Sequence, residues 1–493
     1  MLPRLTIATL LALALGSGPA YSIALKPDLA SLDAVPRVSL PAVALSKALA
    51  AEPKKHRPFQ FAVGVATDFT LSHGAWDTLP DGSRRWRLRL DSPGAKSLSL
   101  HFAPFELPSD AAVWIYAADA SLVQGPWRAG NATANGLWTP IIPQDSLVIE
   151  ARVPAAQASQ LRLGIVAGFH GFREWKDAAL TAKSGSCNID VACPIDGVWA
   201  DEIRSVARIQ FGGGFLCSGQ LLNNTEQDLD PLLITANHCG IGPGTNDAPP
   251  DSVVVYWNYQ ANQCRGSRDG SLLDTQSGST FLAANATADF TLLRLNASPN
   301  AFGVYYAGWN AESSNTSGSN CGVAIHHPNG DEKAISFYKT AISAEDNVLI
   351  DGKTVHVWRV PRWAYGTTEQ GSSGSGLWNS RHEVIGVLSG GDASCSNRSG
   401  SDYFGRLESG WTPMNSTASG QLRAHLDRTS RLTSGNLHIP GREPTAAPPA
   451  LDAVSSNQCG APEPLAPVAS SGGGGLGVVL LPLLLAAGFR TRE

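Results

Sequence analysis

All eight cysteines of this 493-residue chain lie between Cys187 and Cys459, and none precedes residue 187. The set is Cys187, Cys193, Cys217, Cys239, Cys264, Cys321, Cys395 and Cys459. Residues 1–22 read as an export signal. Arg4 gives a positive start, Leu5 to Leu15 an apolar run, and Gly18-Pro19-Ala20 and Ala20-Tyr21-Ser22 are small-residue cleavage sites. Exported chains oxidise their cysteines. The first part of the chain must therefore hold together by its core alone, while the second can be stapled. Eight cysteines allow about 105 pairings, so spacing does not choose among them. No Cys-x-x-Cys pair suggests zinc, and no metal or cofactor is expected.

Both parts read as strands. Residues 23–56 are rich in Ala, Pro and Leu and suggest an extended arm. Residues 57–172 alternate apolar and polar side chains in short runs, such as Trp86-Arg-Leu-Arg-Leu, Val113-Trp-Ile-Tyr and Leu161-Arg-Leu-Gly-Ile-Val, separated by turn residues. This period predicts a β-sandwich, and it carries no acid, base or nucleophile constellation. Residues 184–434 repeat the pattern, with Val253-Val-Val-Tyr-Trp, Val355-His-Val-Trp-Arg-Val and Glu383-Val-Ile-Gly-Val-Leu, and predict one short helix near Gly420–Asp427. Fifty glycines, 32 prolines and only 16% charged residues agree with many short strands and turns. A net charge of −5 gives no basic footprint for nucleic acid. Residues 435–471, rich in Pro, Ala and Ser, read as a linker. Gly472 to Gly475, the apolar run Leu476 to Phe489, and Arg490 and Arg492 follow. That run is short of the roughly 20 residues a membrane-spanning helix needs.

Three short strings carry the chemistry: Thr235-Ala-Asn-His238-Cys239, Ala288-Asp289-Phe-Thr-Leu-Leu and Gly371-Ser-Ser373-Gly-Ser-Gly376. A serine hydroxyl is a weak nucleophile and needs a base, and the base needs an orienting acid. His238 fits the base, Asp289 the acid and Ser373 the nucleophile. The N–H groups of Gly371 and Ser373 fit an oxyanion hole, each donor being worth about 3 kcal/mol. The order His, Asp, Ser belongs to the chymotrypsin-like arrangement, not to subtilisins or α/β-hydrolases. Ser375 also stands where an esterase's Gly-x-Ser-x-Gly requires glycine. Singly, each string has a bland explanation: a Gly/Ser loop, a core histidine, a capping aspartate. A catalytically inactive surface-binding protein on the same fold is the competing reading, and the presence of all three residues weighs against it. His326-His327 could suggest a metal pair. Adjacent strand residues point to opposite faces, so these are expected to form a structural turn before Pro328. Trp309 and Trp358 are expected in the core.

With these strings in place, the second part resembles bacterial lysyl endopeptidases over nearly all of residues 184–434. Matching segments include Ser186-Cys-Asn-Ile-Asp-Val-Ala-Cys-Pro, Val255-Tyr-Trp-Asn-Tyr-Gln, Ala324-Ile-His-His-Pro-Asn and Ser401-Asp-Tyr-Phe-Gly-Arg. The resemblance implies an all-β chain: a chymotrypsin-like double β-barrel protease domain preceded by a β-sandwich prodomain. It puts His238, Asp289 and Ser373 on the family's triad. It implies the disulfides Cys187–Cys395, Cys193–Cys264 and Cys217–Cys239. Cys321 and Cys459 have no counterpart in the family pattern and are left to pair with each other. Trypsin-like pockets carry an aspartate six residues before the nucleophile, where this chain has Thr367. The resemblance instead assigns the pocket anion to Asp402, with Ser389, Gly390 and Gly391 lining the pocket. Two departures stand out. Lysine-specific members carry histidine at the Ser389 position, and a tryptophan near 341–350 that this chain lacks. Cleavage after lysine is expected, with arginine left open.

Ala182-Lys183-Ser184 falls where the family's mature chain begins, so residues 23–183 are expected to be a propeptide removed by self-processing after Lys183. The mature unit starts with several residues ahead of Cys187 and Cys193, and a buried terminal ammonium is not assumed. The tail at 472–493 resembles a GlyGly-CTERM sorting signal. This implies transient membrane attachment and cleavage by a rhomboid-type sorting protease, the alternative being a marginal membrane anchor that is not cut. The expected partners are protein or peptide substrates, the chain's own propeptide, the export machinery and that sorting protease. A secreted or cell-surface monomer is expected.

Overall fold

The computed structural model describes residues 32–43, 45, 58–173, 184–195, 197–243, 248–266, 269–313, 320–414, 416–456 and 458–461. The expected signal segment, Lys183 and the sorting segment lie outside these residues.

The N-terminal unit is two facing sheets. One pairs Arg84–Asp91, Ser146–Val153, Ala112–Ala117 and Val123–Trp127 in that order, flanked by Arg37–Ser39 and Ala75–Thr78. The other orders Ala62–Thr70, Arg162–Gly171, Ser97–Glu106 and Leu137–Trp138. Alternate residues Leu88 and Leu90, Leu98, Leu100 and Phe102, Val113 and Ile115, Leu147 and Ile149 point inward from both sheets into one core. The sandwich begins earlier than the alternating pattern suggests. Arg37–Ser39 lies parallel to Arg89–Asp91, inside the stretch expected to be a loose arm. Too short to show a period, it gains its place from the edge it completes.

The C-terminal unit is two barrels. In the first, the sheet order runs from Thr275–Ser277 through Val254–Tyr256, Val206–Phe211, Phe215–Leu222, Leu232–Ala236 and Phe290–Leu295 to Ser279–Asn285. Its two end strands are one continuous run broken only at Gly278, so the sheet closes on itself. The second orders Ala334–Tyr338, Gly322–His326, Gly376–Asn379, Glu383–Gly391, Asp402–Arg406, Lys353–Val360 and Ser343–Ile350. Past Val360 the chain returns to bridge Tyr365 to Phe337 and closes that barrel too. One core spans both, from Ile209 and Leu292 to Trp309 and Trp378. The late helix is a single turn, Arg423–Leu426.

The units are not merely tethered. Phe59–Gln60, inside the stretch 57–172 expected to form the sandwich, instead adds to the first barrel, opposite Phe215 and Leu216. Phe59, Phe61, Ile141 and Phe169 share a core with Leu216, Val254, Tyr256, Tyr259 and Leu272. The expected linker is also a correction up to residue 461. His438–Ile439 pairs with Trp309–Asn310, Arg442 bridges Tyr306, and Trp199 Nε1 donates to Cys459 O at 3.2 Å. Composition signalled a chain without its own core, and here the barrel supplies one.

Candidate active site

The three chemical strings sit at strand ends facing the seam between the barrels. Leu232–Ala236 delivers Asn237–Cys239, a single 3-10 turn bearing His238. Asp289 occupies the turn just before Phe290–Leu295, at φ +47°, a left-handed region that Asp enters more readily than most residues. These neighbouring strands pair Ala236 with Phe290, which brings the two side chains together. His238 Nδ1 lies 2.8 Å from Asp289 Oδ2, and His238 N donates to Oδ1 at 2.9 Å. Asn237 N adds a bond to Asp289 O. With Nδ1 as the donor, Nε2 is left as the proton acceptor. It is buried and has no partner among the described residues.

Ser373 lies in the turn leading into Gly376–Asn379. Ser218 N donates to Ser373 O at 2.8 Å, and Ser218 Oγ to Gly371 O at 3.0 Å. Ser218 follows Cys217, which the Cys217–Cys239 disulfide joins to the residue after His238. One strand thus fixes both the His238 turn and the Ser373 loop. Ser373 has no exposed surface. Gly371 has φ +87°, and a Cβ there would meet Gly330 N at 2.7 Å. Its N–H donates to no backbone carbonyl among the described residues.

Asp402 is fully buried at the start of Asp402–Arg406. Trp363 Nε1 and Thr368 Oγ1 both donate to its Oδ2, at 2.6 and 2.7 Å. Gly391 pairs with Asp402 across the sheet, and a Cβ on Gly391 would stand 2.2 Å from Asp402 Oδ1. Glycine is therefore required there, and the Gly390-Gly391 segment runs directly past the carboxylate. Ser389, at the register break in this strand, accepts from Gly405 N at 3.2 Å. A Cβ on Gly405 would meet Ala288 O, beside Asp289. The Ser343–Ile350 hairpin, where the family's tryptophan is missing, is mostly exposed. It reaches the Asp289 turn through its partner strand, His356 N donating to Thr287 O at 2.9 Å.

His326 and His327 are not a metal pair. His326 Nδ1 lies 2.7 Å from Ser372 Oγ and its Nε2 3.1 Å from Ser336 Oγ, while His327 Nδ1 lies 2.9 Å from Asp331 O. Among the described residues no His, Cys, Asp and Glu cluster could hold a metal ion. Burial holds His327 well below the usual histidine range and lowers the Lys333 amine to about 7. Trp309 and Trp358 are buried, each donating its Nε1–H to a backbone carbonyl.

Sequence reasoning missed Trp363, Thr368, His326, Ser218 and Asp331 as parts of this neighbourhood. A polar residue within five positions of Ser373 was a usable signal for Thr368. The others are joined to the site only through sheet register.

The disulfides are Cys187–Cys395, Cys193–Cys264, Cys217–Cys239 and Cys321–Cys459. Ser184 is placed at the foot of the second barrel, its N–H donating to Asp331 Oδ2 at 3.2 Å. Lys183 is outside the described residues.

Residues 181–405 match the family profile described as lysyl endopeptidase, C-terminal domain, and residues 31–167 match the lysyl endopeptidase N-terminal domain. A lysyl endopeptidase of Pseudomonas aeruginosa is 30% identical over 397 residues, covering 74% of this chain and 82% of that protein. Among solved structures, Rv3671c from M. tuberculosis H37Rv in its inactive form is 18% identical and covers 50% of this chain and 100% of that one, with a TM-score of 0.29. A Glu endopeptidase is 16% identical and covers 41% and 86%, with a TM-score of 0.28.

Proposed function

The chain belongs to the lysyl endopeptidase family and is a serine endopeptidase; from that premise we propose that it cuts peptide bonds after lysine, using Ser373, His238 and Asp289. A substrate lysine enters beside Gly390-Gly391, and its ammonium meets Asp402. The substrate backbone pairs with Ser389–Gly391. Ser373 Oγ attacks the carbonyl carbon while His238 Nε2 takes the hydroxyl proton, and Asp289 steadies the imidazolium. Gly371 and Ser373 N–H groups receive the oxyanion. His238 then protonates the leaving amine, and water hydrolyses the acyl-enzyme by the same steps.

What supports the lysine reading is a fully buried carboxylate, Asp402, lying directly beside Gly390-Gly391, with Trp363 Nε1 and Thr368 Oγ1 donating to its Oδ2. A buried carboxylate placed beside two glycines favours a cationic side chain over an apolar one. Loss of lysine preference in Asp402→Asn tests it. Arginine remains a permitted second substrate, because the histidine and tryptophan that accompany strict lysine preference in the family are absent.

We further propose that the chain is a zymogen cut after Lys183 by its own activity. A Ser373→Ala chain should then accumulate uncut in a host lacking other lysine-cleaving proteases, and normal maturation there would refute self-processing. The glycine-led tail supports sorting by a rhomboid-type protease at the membrane, and the mass of the mature C-terminus tests that.

A further inference from the structure

The mature start at Ser184 is docked before it is cut. Ser184 N and Oγ both donate to Asp331 Oδ2, at 3.2 and 2.8 Å. Gly185 N donates to both oxygens of Glu369, at 3.1 and 3.0 Å. Asn188 and Asn329 side chains also donate to Glu369 Oε2, each at 3.1 Å. Two carboxylates therefore flank the first two residues of the mature chain.

Both carboxylates belong to segments that build the oxyanion loop. Glu369 lies two residues before Gly371, and its O accepts from Ser372 N while its N donates to Ser372 Oγ. Asp331 ends the turn His327–Asp331. That turn packs on Gly371: Asn329 N donates to Gln370 O, and Gly330 N and His327 O stand within 3.1 Å of where a Gly371 Cβ would be. The turn is held from below by His327 Nδ1 on Asp331 O and from the side by His327 N on Ser218 Oγ. Asp331 thus touches the Ser184 nitrogen at one end of a turn whose other face shapes the oxyanion donor.

We propose that Asp331 is a positioning residue: it captures the ammonium created at Ser184 on processing, and this ion pair fixes the His327–Asp331 turn and with it the Gly371 N–H. Hydrolysis of the Lys183–Ser184 bond adds one water. The acyl carbon keeps the oxygen as the Lys183 carboxylate, and the Ser184 nitrogen leaves as an ammonium. The existing neutral hydrogen bond to Asp331 becomes a charge-assisted one, which is roughly twice as strong. No buried terminal ammonium was assumed from the sequence, because Cys187 and Cys193 follow so closely. The structure shows that the segment ahead of Cys187 still reaches a carboxylate.

The inference rests on processing after Lys183, and the test separates the two. Three chains are processed in trans by wild-type enzyme, purified and sequenced from the N-terminus: Asp331→Asn, a chain with one glycine inserted between Lys183 and Ser184, and the two changes combined. The insertion leaves Asp331 intact but moves the ammonium one residue away. Each single change is expected to lower kcat roughly 10- to 100-fold with little change in KM, because a misplaced oxyanion donor is felt in the transition state. The combined chain should lose no more than either single one, since each breaks the same pair. Melting temperatures check that all three are folded. A mature wild type that begins elsewhere than Ser184 overturns the processing reading, and the latch with it. A wild type that begins at Ser184, with losses that multiply in the combined chain or unchanged kcat in both single ones, overturns the latch alone.

Discussion

At the scale of single residues, the proposed site separates groups assigned to act from groups that hold them. Ser373→Ala is predicted to lower turnover by about a millionfold while leaving the fold intact, because nucleophile, base and acid act as a unit. Active-site labelling and peptide hydrolysis on a clean preparation check this, and more than a trace of activity contradicts it. The residues proposed to act could be picked out in the sequence because each lies in a short, unusual string at a strand end, as with His238 beside Cys239 and Ser373 among glycines. The holding residues were not. Trp363 and Asp402 are 39 positions apart and meet only because Lys353–Val360 pairs with Asp402–Arg406. Lys333 was equally invisible, a fully buried amine whose Nζ donates to Ile203 O at 2.8 Å. Burial lowers it from 10.5 to about 7. Below pH 7 both folded and unfolded chains carry this proton, and the fold bears the full cost of burying the charge. Between pH 7 and 10.5 the unfolded chain binds more protons, so that cost is relieved as pH rises. Lys333→Met is therefore predicted to be more stable than wild type at pH 6, with the gap narrowing by pH 9. Denaturant unfolding at the two pH values measures it, and a gap that widens with pH contradicts the assignment.

Among the elements, the strand Phe215–Leu222 does the most positioning. It carries Cys217 to the His238 turn and Ser218 to the nucleophile loop. Replacing Cys217 and Cys239 with alanine is predicted to cost about 2–5 kcal/mol of stability and to lower kcat as well, since the base loses its tether. Replacing Cys321 and Cys459 should leave kcat within about twofold, because that bond fastens the C-terminal arm far along the chain from the three acting residues. Unfolding curves and peptide kinetics on the two variants check the contrast, and equal losses of activity contradict it. Strand runs were readable here from alternation, and the two barrels from their number. The docking of residues 435–461 was not readable, because Pro- and Ala-rich composition reports the lack of an own core and says nothing of a neighbour's groove. Phe59–Gln60 was misassigned for a related reason: two residues carry no period, and their partner strand lies about 155 residues away.

In the whole molecule, the N-terminal sandwich is seated on the catalytic barrel through apolar contact and a few buried polar bonds. Tyr256 OH accepts from Ile141 N at 3.0 Å and donates to Gln210 Oε1 at 2.6 Å, and Gln124 Nε2 donates to Leu272 O at 2.6 Å. Tyr256→Phe leaves the Ile141 N–H buried and unpaired, a penalty of about 1–3 kcal/mol. Once the chain is cut after Lys183 as proposed, the sandwich of this variant should dissociate more readily, by roughly 5- to 100-fold in affinity. Co-elution of the two fragments after processing reads this, and unchanged retention contradicts it. Cleavage after lysine is measured by kcat/KM on matched peptides bearing lysine, arginine or the uncharged isostere norleucine at the cleaved position, for active wild type and Asp402→Asn. Wild type is predicted to prefer lysine to norleucine by about a hundredfold or more, on the order of the 3–5 kcal/mol of a buried charge pair, and Asp402→Asn to lose most of that preference while still turning over a small activated ester. A lysine-to-norleucine ratio unchanged by Asp402→Asn would contradict the proposal.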